Sequence, residues 1–278
     1  MAEKGSDSRV VRIESGIKNL DIGWEYTNED IVALISGLKE IPTQGGGFLG
    51  IGSFHNLDIA LDRGAEAVAL LDVSKDVCNV NQGILEVAEK TEAFEDMLPH
   101  VREYVQKKAI LEDAVFEEYI TTGIKLGSRI PLSWAKDLQS FLRLKQLISE
   151  CKLAVAHANI TKPSTLTRVG KFFASFDAPL SFANISNVES QDFTARRAIA
   201  KIPQSLYQAG GTNDTLVISS MGTQRPLPKD FTYQVLQPPI SPLQPNKTFY
   251  WFEYNFLLRR LGDFSQEGPI IVPEDPIF

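Results

Sequence analysis

GGGFLGIGSFHNLDIALDRGAEAVALLDVS, residues Gly45–Ser74, decides the fold of this 278-residue chain. Phe48, Leu49 and Ile51 make a short apolar run interrupted by Gly50 and Gly52. A glycine lets the backbone take a positive φ or approach a ligand closely. From Asn56 to Arg63, the residues Leu57, Ile59, Ala60 and Leu61 follow a helical pattern. The N–H groups of that helix start then face the glycine turn. Val68–Val73 is apolar on both faces, as a central parallel strand requires, and Asp72 stands at its carboxyl end. Strand, glycine turn, helix, strand and terminal acid, in that order, predict a nucleotide-cofactor site. Asp72 lies 20 residues beyond Gly52, the spacing at which a carboxylate accepts both hydroxyls of a ribose. The ligand is therefore expected to carry an unmodified ribose.

Two cofactor classes use that geometry. A dinucleotide rests its pyrophosphate on the helix start and wants a third glycine so that helix and strand pack tightly. S-adenosylmethionine (SAM) has no phosphate and tolerates a bulkier turn. Gly50 and Gly52 would be the first two glycines of GxGxxG, and the third position is His55, which weighs against the dinucleotide. A glycine-bearing turn that binds nothing is the remaining alternative.

Charge narrows the partners. The formal net charge is −7 and the isoelectric point is near 5.1, with no lysine or arginine cluster. A nucleic-acid backbone or an anionic membrane is thus disfavoured as the main partner. A neutral or cationic small substrate, or another protein, fits better. Cys78 and Cys151 are the only cysteines and the amino terminus has no apolar signal core, so a reducing cytoplasm is expected. No apolar run approaches the roughly 20 residues of a membrane span. The length fits one large α/β domain over 1–278; the oligomeric state stays open.

Outward from the quoted stretch, residues 1 to about 15 read as polar and frayed. TNEDIVALISGLKEI, from Thr27, reads as a helix with Thr27 as N-cap and Ile31, Leu34, Ile35 and Leu38 at helical spacing. It makes 16–44 an amino-terminal helical cap, packed on the sheet in the simpler reading and over the cofactor in the other. Beyond Asp72 the next strand is Leu153–Ala158, although a crossover needs only a dozen or more residues. Val77–Thr91, Ala93–Lys108, Leu111–Ile120 and Leu132–Glu150 read as helices. Residues 75–150 are therefore expected to form a helical insertion above the carboxyl edge of the sheet, a lid or substrate subdomain.

The parallel pattern then resumes with a helix over Ser164–Phe176 capped by Ser164, a strand over Pro179–Ile185, a helix over Ala195–Gln208 closed by Gly210 and Gly211, and a strand over Thr215–Ser219. Pro226, Pro228, Pro238, Pro239, Pro242 and Pro245 break up the carboxyl-terminal part of the chain, around FTYQVL and ahead of FYWFEYNFLL. Two closing strands are expected there as an antiparallel addition at the sheet edge. PPISPLQP holds two PxxP patterns of the kind SH3-like grooves take, although a loop between strands is the simpler reading.

GFLGIGSFHN, AVALLDVS and SFANISNVE, preceded by IGWEYTNED and followed by AKIPQSL, together resemble a family of uncharacterised bacterial and plant proteins related to class I SAM-dependent methyltransferases. The resemblance runs from about Lys18 to Ser220. It implies an α/β fold, a doubly wound, mostly parallel Rossmann-like sheet of the class I methyltransferase type, with a helical insertion and an antiparallel carboxyl-terminal strand pair. Gly50 and Gly52 would line the methionine and ribose end of SAM, with Ser53 and Asn56 beside them, and Asp72 would bind the ribose hydroxyls. Asn159, in HANIT after the third strand, would meet the adenine amino group through its carbonyl oxygen. Ser186 follows the fourth strand beside the cofactor, and Asn187 and Glu189 would touch the methyl acceptor. Glu189 would serve as general base where the nucleophile must lose a proton. A sulfonium already donates methyl readily, so positioning supplies most of the rate. The plainer reading has Asn187 and Glu189 capping the next helix.

His55, His100 and His157 are the only histidines and have no HxxxH or CxxC companion, so no metal is expected. GIGSF lacks the closing glycine of a serine-hydrolase elbow and puts Ser53 one residue late. The expectation is a SAM-binding protein that transfers the methyl group to a small molecule. A SAM enzyme transferring another group, a non-catalytic binding protein on this scaffold and an NAD-dependent oxidoreductase are the alternatives.

Overall fold

A computed structural model describes residues 8–20, 31–39, 41–43, 45–108, 124–125, 128–129, 131–186, 188, 196–222, 234–236 and 254–262. Strands β2 (Gly47–Ile51) and β3 (Ala67–Asp72) are buried along their whole length. Successive strand residues point to opposite faces, and here each face has its own core. Phe48, Val68, Leu70, Leu153, Val155 and Phe182 join one apolar cluster. Leu49, Ile51, Ala67, Ala69, Leu71, Ala154, Ala156 and Ala183 join the other. A sheet covered on both faces gives continuous apolar runs such as VALLDV, which makes these strands legible in the sequence.

Three further parallel strands are β6 (Leu153–His157), β7 (Leu180–Asn184) and β8 (Gly211–Gly222). β9 (Gln234–Leu236) and β10 (Tyr254–Arg260) close the sheet. At the opposite edge lies β1 (Val11–Glu14), and β4 (Ile124–Lys125) pairs separately with β5 (Ser128–Arg129). The eight-stranded order is β1-β6-β3-β2-β7-β8-β10-β9. Every pairing from β1 to β8 is parallel, whereas β10 runs antiparallel to both β8 and β9. Apart from β1, this is the doubly wound sheet of the class I methyltransferase type, with its antiparallel strand pair at the carboxyl-terminal edge.

The amino-terminal stretch read as frayed holds a strand. Val11–Glu14 pairs in parallel with β6, and Val10 and Ile13 are buried. An edge strand needs only one apolar face, so VRIE carries too little pattern to stand out. Residues 1–7 lie outside the described part.

Helix α1 (Ile31–Leu38) buries Ile31, Leu34 and Leu38 in the first cluster and packs against α2 (Asn56–Asp62). It belongs to the layer on the sheet; its expected cap, Thr27, lies outside the described residues. Arg63, only 5% exposed, secures the end of α1. Its Nη1 donates to Leu38 O at 3.0 Å, and Nη2 to Ile41 O at 2.7 Å and Pro42 O at 2.6 Å. Helix-terminal carbonyls have no partner within the helix, and a buried unpaired acceptor costs roughly 1 to 3 kcal/mol. Arg63→Met keeps the length of the side chain and deletes the donors. A loss of about 2 kcal/mol is expected in urea denaturation, and no loss would mean that water replaces the guanidinium.

Between β3 and β6 lie α3 (Lys75–Lys90), a short 3₁₀ turn, α4 (Met97–Lys108), α5 (Ser133–Lys136) and α6 (Leu138–Ser149). Ile84, Leu85, Val101, Phe141 and Leu144 share the first cluster with the strands, so these helices form the layer on that face. The segment Leu111–Ile120 lies outside the described residues. The helix expected over Leu132–Glu150 is two helices parted at Asp137, whose carboxylate caps α6 by accepting Ser140 N at 2.8 Å. Lys145 Nζ donates to Ala88 O, Glu89 O and Thr91 O, tying α6 to the end of α3.

The opposite face carries α7 (Thr167–Ala174), α8 (Arg196–Ile199) and α9 (Ile202–Gln208). Ser164 does not cap α7, because Pro163–Leu166 forms a 3₁₀ turn ahead of it. The helix expected over Ala195–Gln208 is two helices, α8 and α9, with Pro203 in the first turn of the second. Gly210 turns the chain with φ +91, and Gly211 already begins β8. The six prolines from Pro226 to Pro245, and with them the PxxP patterns, lie outside the described residues. Among those residues no helix is long and apolar enough to cross a membrane.

Candidate functional site

The chain runs outward from β2 to β3 and β6, then returns to β7 on the other side of β2. Open α/β sheets bind ligands at the carboxyl ends of the strands where the order reverses. That point lies between β2 and β7, and the glycine turn and the loop after β7 meet there.

A buried polar network joins them. Asn184, at the end of β7, donates from Nδ2 to Asn56 Oδ1 at 3.0 Å, and its own Oδ1 accepts Ser186 N at 3.1 Å. Asn56 Nδ2 lies 2.9 Å from Ile51 O and 3.1 Å from His55 Nε2. His55 Nδ1 lies 3.1 Å from Ser53 Oγ. Asn56 Nδ2, which has two hydrogens, also lies 3.2 Å from Ser53 O. Burial pushes the imidazole down to about 3, so it is neutral. Asn81, on α3, donates from Nδ2 to Gly52 O at 2.9 Å and steadies the turn from the other side.

The glycines answer to these side chains. A Cβ on Gly50 would stand 2.4 Å from Asn56 Cγ, and one on Gly52, whose φ is +99, would stand 3.2 Å from His55 Cε1. The space expected to admit a ligand is shared with the protein's own Asn56 and His55. Ser186 also has a positive φ of 53, so the loop after β7 turns sharply at its start.

Asp72 lies at the end of β3, level with His157 on β6. Its Oδ1 accepts Ser74 N at 2.8 Å, and the residue is 4% exposed. Burial pushes the carboxyl up to about 6, against the opposing pull of the Ser74 and Val73 N–H groups and the His157 ring. His157 Nε2 lies 3.1 Å from Val73 O and Nδ1 lies 3.2 Å from Glu14 Oε2. Burial alone would raise the Glu14 carboxyl, but hydrogen bonds from Arg12 and His157 hold it below its ordinary value. Cys78 sits behind Asp72, and burial followed by the Asp72 charge pushes its thiol up to about 12, which makes it inert.

Asn159 follows β6 half-buried. Its Oδ1, the atom expected at the adenine, accepts Thr161 N at 2.8 Å and Thr161 Oγ1 at 2.7 Å. Its Nδ2 has no partner among the described residues. Asn187 and Glu189 lie outside those residues, so of the strand-four trio only Ser186 is placed. The structure thus gathers Gly50, Gly52, Ser53, Asn56 and Ser186 at the switch point, with Asp72 and Asn159 at the ends of the next strands. Asn184 and Asn81 escaped sequence reasoning. Each is a polar residue at an apolar position, Asn184 in PLSFANI and Asn81 on the buried face of α3, and that mismatch is the signal that could have found them.

A separate groove of about 450 Å³ lies along α3, lined by Arg12, Asn79, Gln82, Glu86, Tyr104 and their neighbours. Its polar groups largely pair with one another, Arg12 with Asn79 and Gln82 with Glu86. Among the described residues no group of three or more His, Cys, Asp or Glu side chains is placed to hold a metal ion.

No curated protein matches the chain in sequence. Among solved structures it is similar to the glycopeptide N-methyltransferase MtfA complexed with SAM, at 11% identity and a TM-score of 0.33, over 93% of this chain and 79% of that one. A family described as a domain of unknown function, DUF7790, matches residues 24–124.

Proposed function

We propose that the chain binds SAM at the β2–β7 switch point and transfers its methyl group to a small molecule. The observation that carries this reading is Asp72, a buried carboxylate at the carboxyl end of β3, beside a glycine turn on a sheet of the class I methyltransferase order. The carboxylate would take the ribose hydroxyls. Ser53 and the turn around Gly52 would face the methionine end. SAM supplies the activated methyl; Asn184 and Asn56 hold the turn and the loop after β7 in fixed relation, the positioning on which methyl transfer chiefly depends. Asn187 and Glu189 keep their proposed place at the acceptor.

A second reading, a non-catalytic binding protein, draws on different observations. Asn56 and His55 occupy the space beside Gly50 and Gly52, and Asn159 Oδ1 already has two donors. The two readings part on a simple experiment. SAM and S-adenosylhomocysteine should each raise the melting temperature, by the equivalent of about 2.7 kcal/mol at a hundred times Kd, whereas NAD should not. Stabilisation by NAD alone would overturn the cofactor assignment. Cell extract supplied with methyl-labelled SAM should yield a labelled small molecule; binding without any labelled product would favour the non-catalytic protein.

A further inference from the structure

Beyond β1 the chain continues as Ser15–Leu20 across the carboxyl ends of β6 and β3. Ser15 N donates to His157 O at 3.2 Å and Ser15 Oγ to Thr165 O at 2.7 Å, anchoring the near end. At the far end Leu20 N donates to Val73 O at 3.2 Å, and Asn19 Oδ1 accepts Lys75 N at 2.7 Å. These bonds engage the residue directly after Asp72 and the first residue of α3. Between the two ends stands Gly16, with φ +68 and nothing within 4 Å of where a Cβ would be.

We propose that Gly16–Leu20 is a latch over the nucleoside end of the site, hinged at Gly16 and closed through Asn19 and Leu20, which opens to admit the ribose to Asp72. The inference rests on the cofactor reading above. Three features set a latch apart from a fixed wall. Asp72 is 4% exposed while the segment is bonded to Val73 and Lys75 just after it, so its carboxylate has no open face for two hydroxyls. Leu20 is 47% exposed, and among the described residues the ties of the far end are the two hydrogen bonds of Asn19 and Leu20. The hinge has open space around it, whereas the strand before it is fixed to β6 through four residue pairs. A ligand that binds only the open form has its affinity reduced by the fraction of molecules that are open.

The test uses the full chain. Hydrogen exchange without ligand should show the Leu20 and Lys75 amides exchanging by local opening, well ahead of the β1–β6 ladder. Gly16→Ala strains the positive φ of the closed form, and Asn19→Ala removes the acceptor from Lys75 N. Stopped-flow binding of S-adenosylhomocysteine should be about ten-fold faster in association for the double variant, with dissociation within about two-fold of the parent. Strap amides protected as well as the ladder, or equal association rates, would overturn the latch. Binding to neither protein would refute the nucleoside reading itself, and the exchange result, which needs no ligand, separates that failure from failure of the latch.

Discussion

Asp72→Asn is expected to stabilise the fold by about 3 kcal/mol near neutral pH and, in the same molecule, to weaken S-adenosylhomocysteine binding roughly ten- to a hundred-fold. Burial holds the Asp72 carboxyl up at about 6, against an ordinary value of 3.8. A carboxyl raised by folding binds its proton more tightly in the native state. Its favourable contribution is therefore complete below the unfolded value and is lost as pH rises through about 6. Asparagine keeps an oxygen for Ser74 N and carries no charge to desolvate, so the variant should escape that loss. Asp58 remains. It accepts Leu132 N and both the N–H and hydroxyl of Ser133, and burial raises it to about 6 as well. Burial raises Asp62 too, and urea denaturation should show the parent losing more stability than the variant between about pH 4 and 7, by the share that Asp72 contributes. Equal pH dependence would remove Asp72 as a charged group, and equal nucleoside affinity would remove it from the ribose. A residue that costs stability and is kept for binding is the usual compromise of a working site.

Gly50→Ala is expected to destabilise the protein by about 3 to 5 kcal/mol, more than substitution of a surface glycine would. The new methyl would fall 2.4 Å from Asn56 Cγ and 2.6 Å from its Oδ1. Asn56 is fully buried and cannot swing into solvent, so either β2 bends or the amide leaves its partners. In the second case Asn184 Nδ2 and Ile51 O lose their hydrogen bonds in the interior, at roughly 1 to 3 kcal/mol each. The paired variant Gly50→Ala/Asn56→Ala makes room and should recover part of the loss; no recovery would mean that the clash is not with Asn56. Chemical denaturation of the parent and the two variants measures this directly.

Gly50 also marks how far the sequence could be read. That glycines interrupt the first strand was plain, and so was the end of β3, where an apolar run buried on both faces stops at an acid. The reason for Gly50 was not plain. It lies in a side chain six residues on, brought back over the strand by the turn, and spacing alone cannot distinguish room for a ligand from room for an asparagine. Asn184 was in view within SFANISNVE, yet its partner is Asn56, far away in the chain, and only the β2–β7 pairing brings them together. VRIE was too short to read because half its residues are polar on a solvated edge. The helices α3 and α4 were legible one by one, whereas the break at Asp137 was not, and the place of these helices on the sheet face depends on packing of Ile84, Leu144 and Val155 into one cluster that no local pattern encodes.

The pairing of Val11 with Ala154 fixes the order in which the molecule can be assembled. During synthesis, β1 leaves the ribosome long before β6 exists, and its ladder partners cannot form until the intervening helices have been made. Such distant pairings carry a large loop-closure entropy and slow the folding of the whole. The helical layer and the β2–β3 pair can gather first. The edge strand is then expected to dock late, carrying the Ser15–Leu20 segment with it, so a nascent chain halted before β6 would lack a finished roof over Asp72.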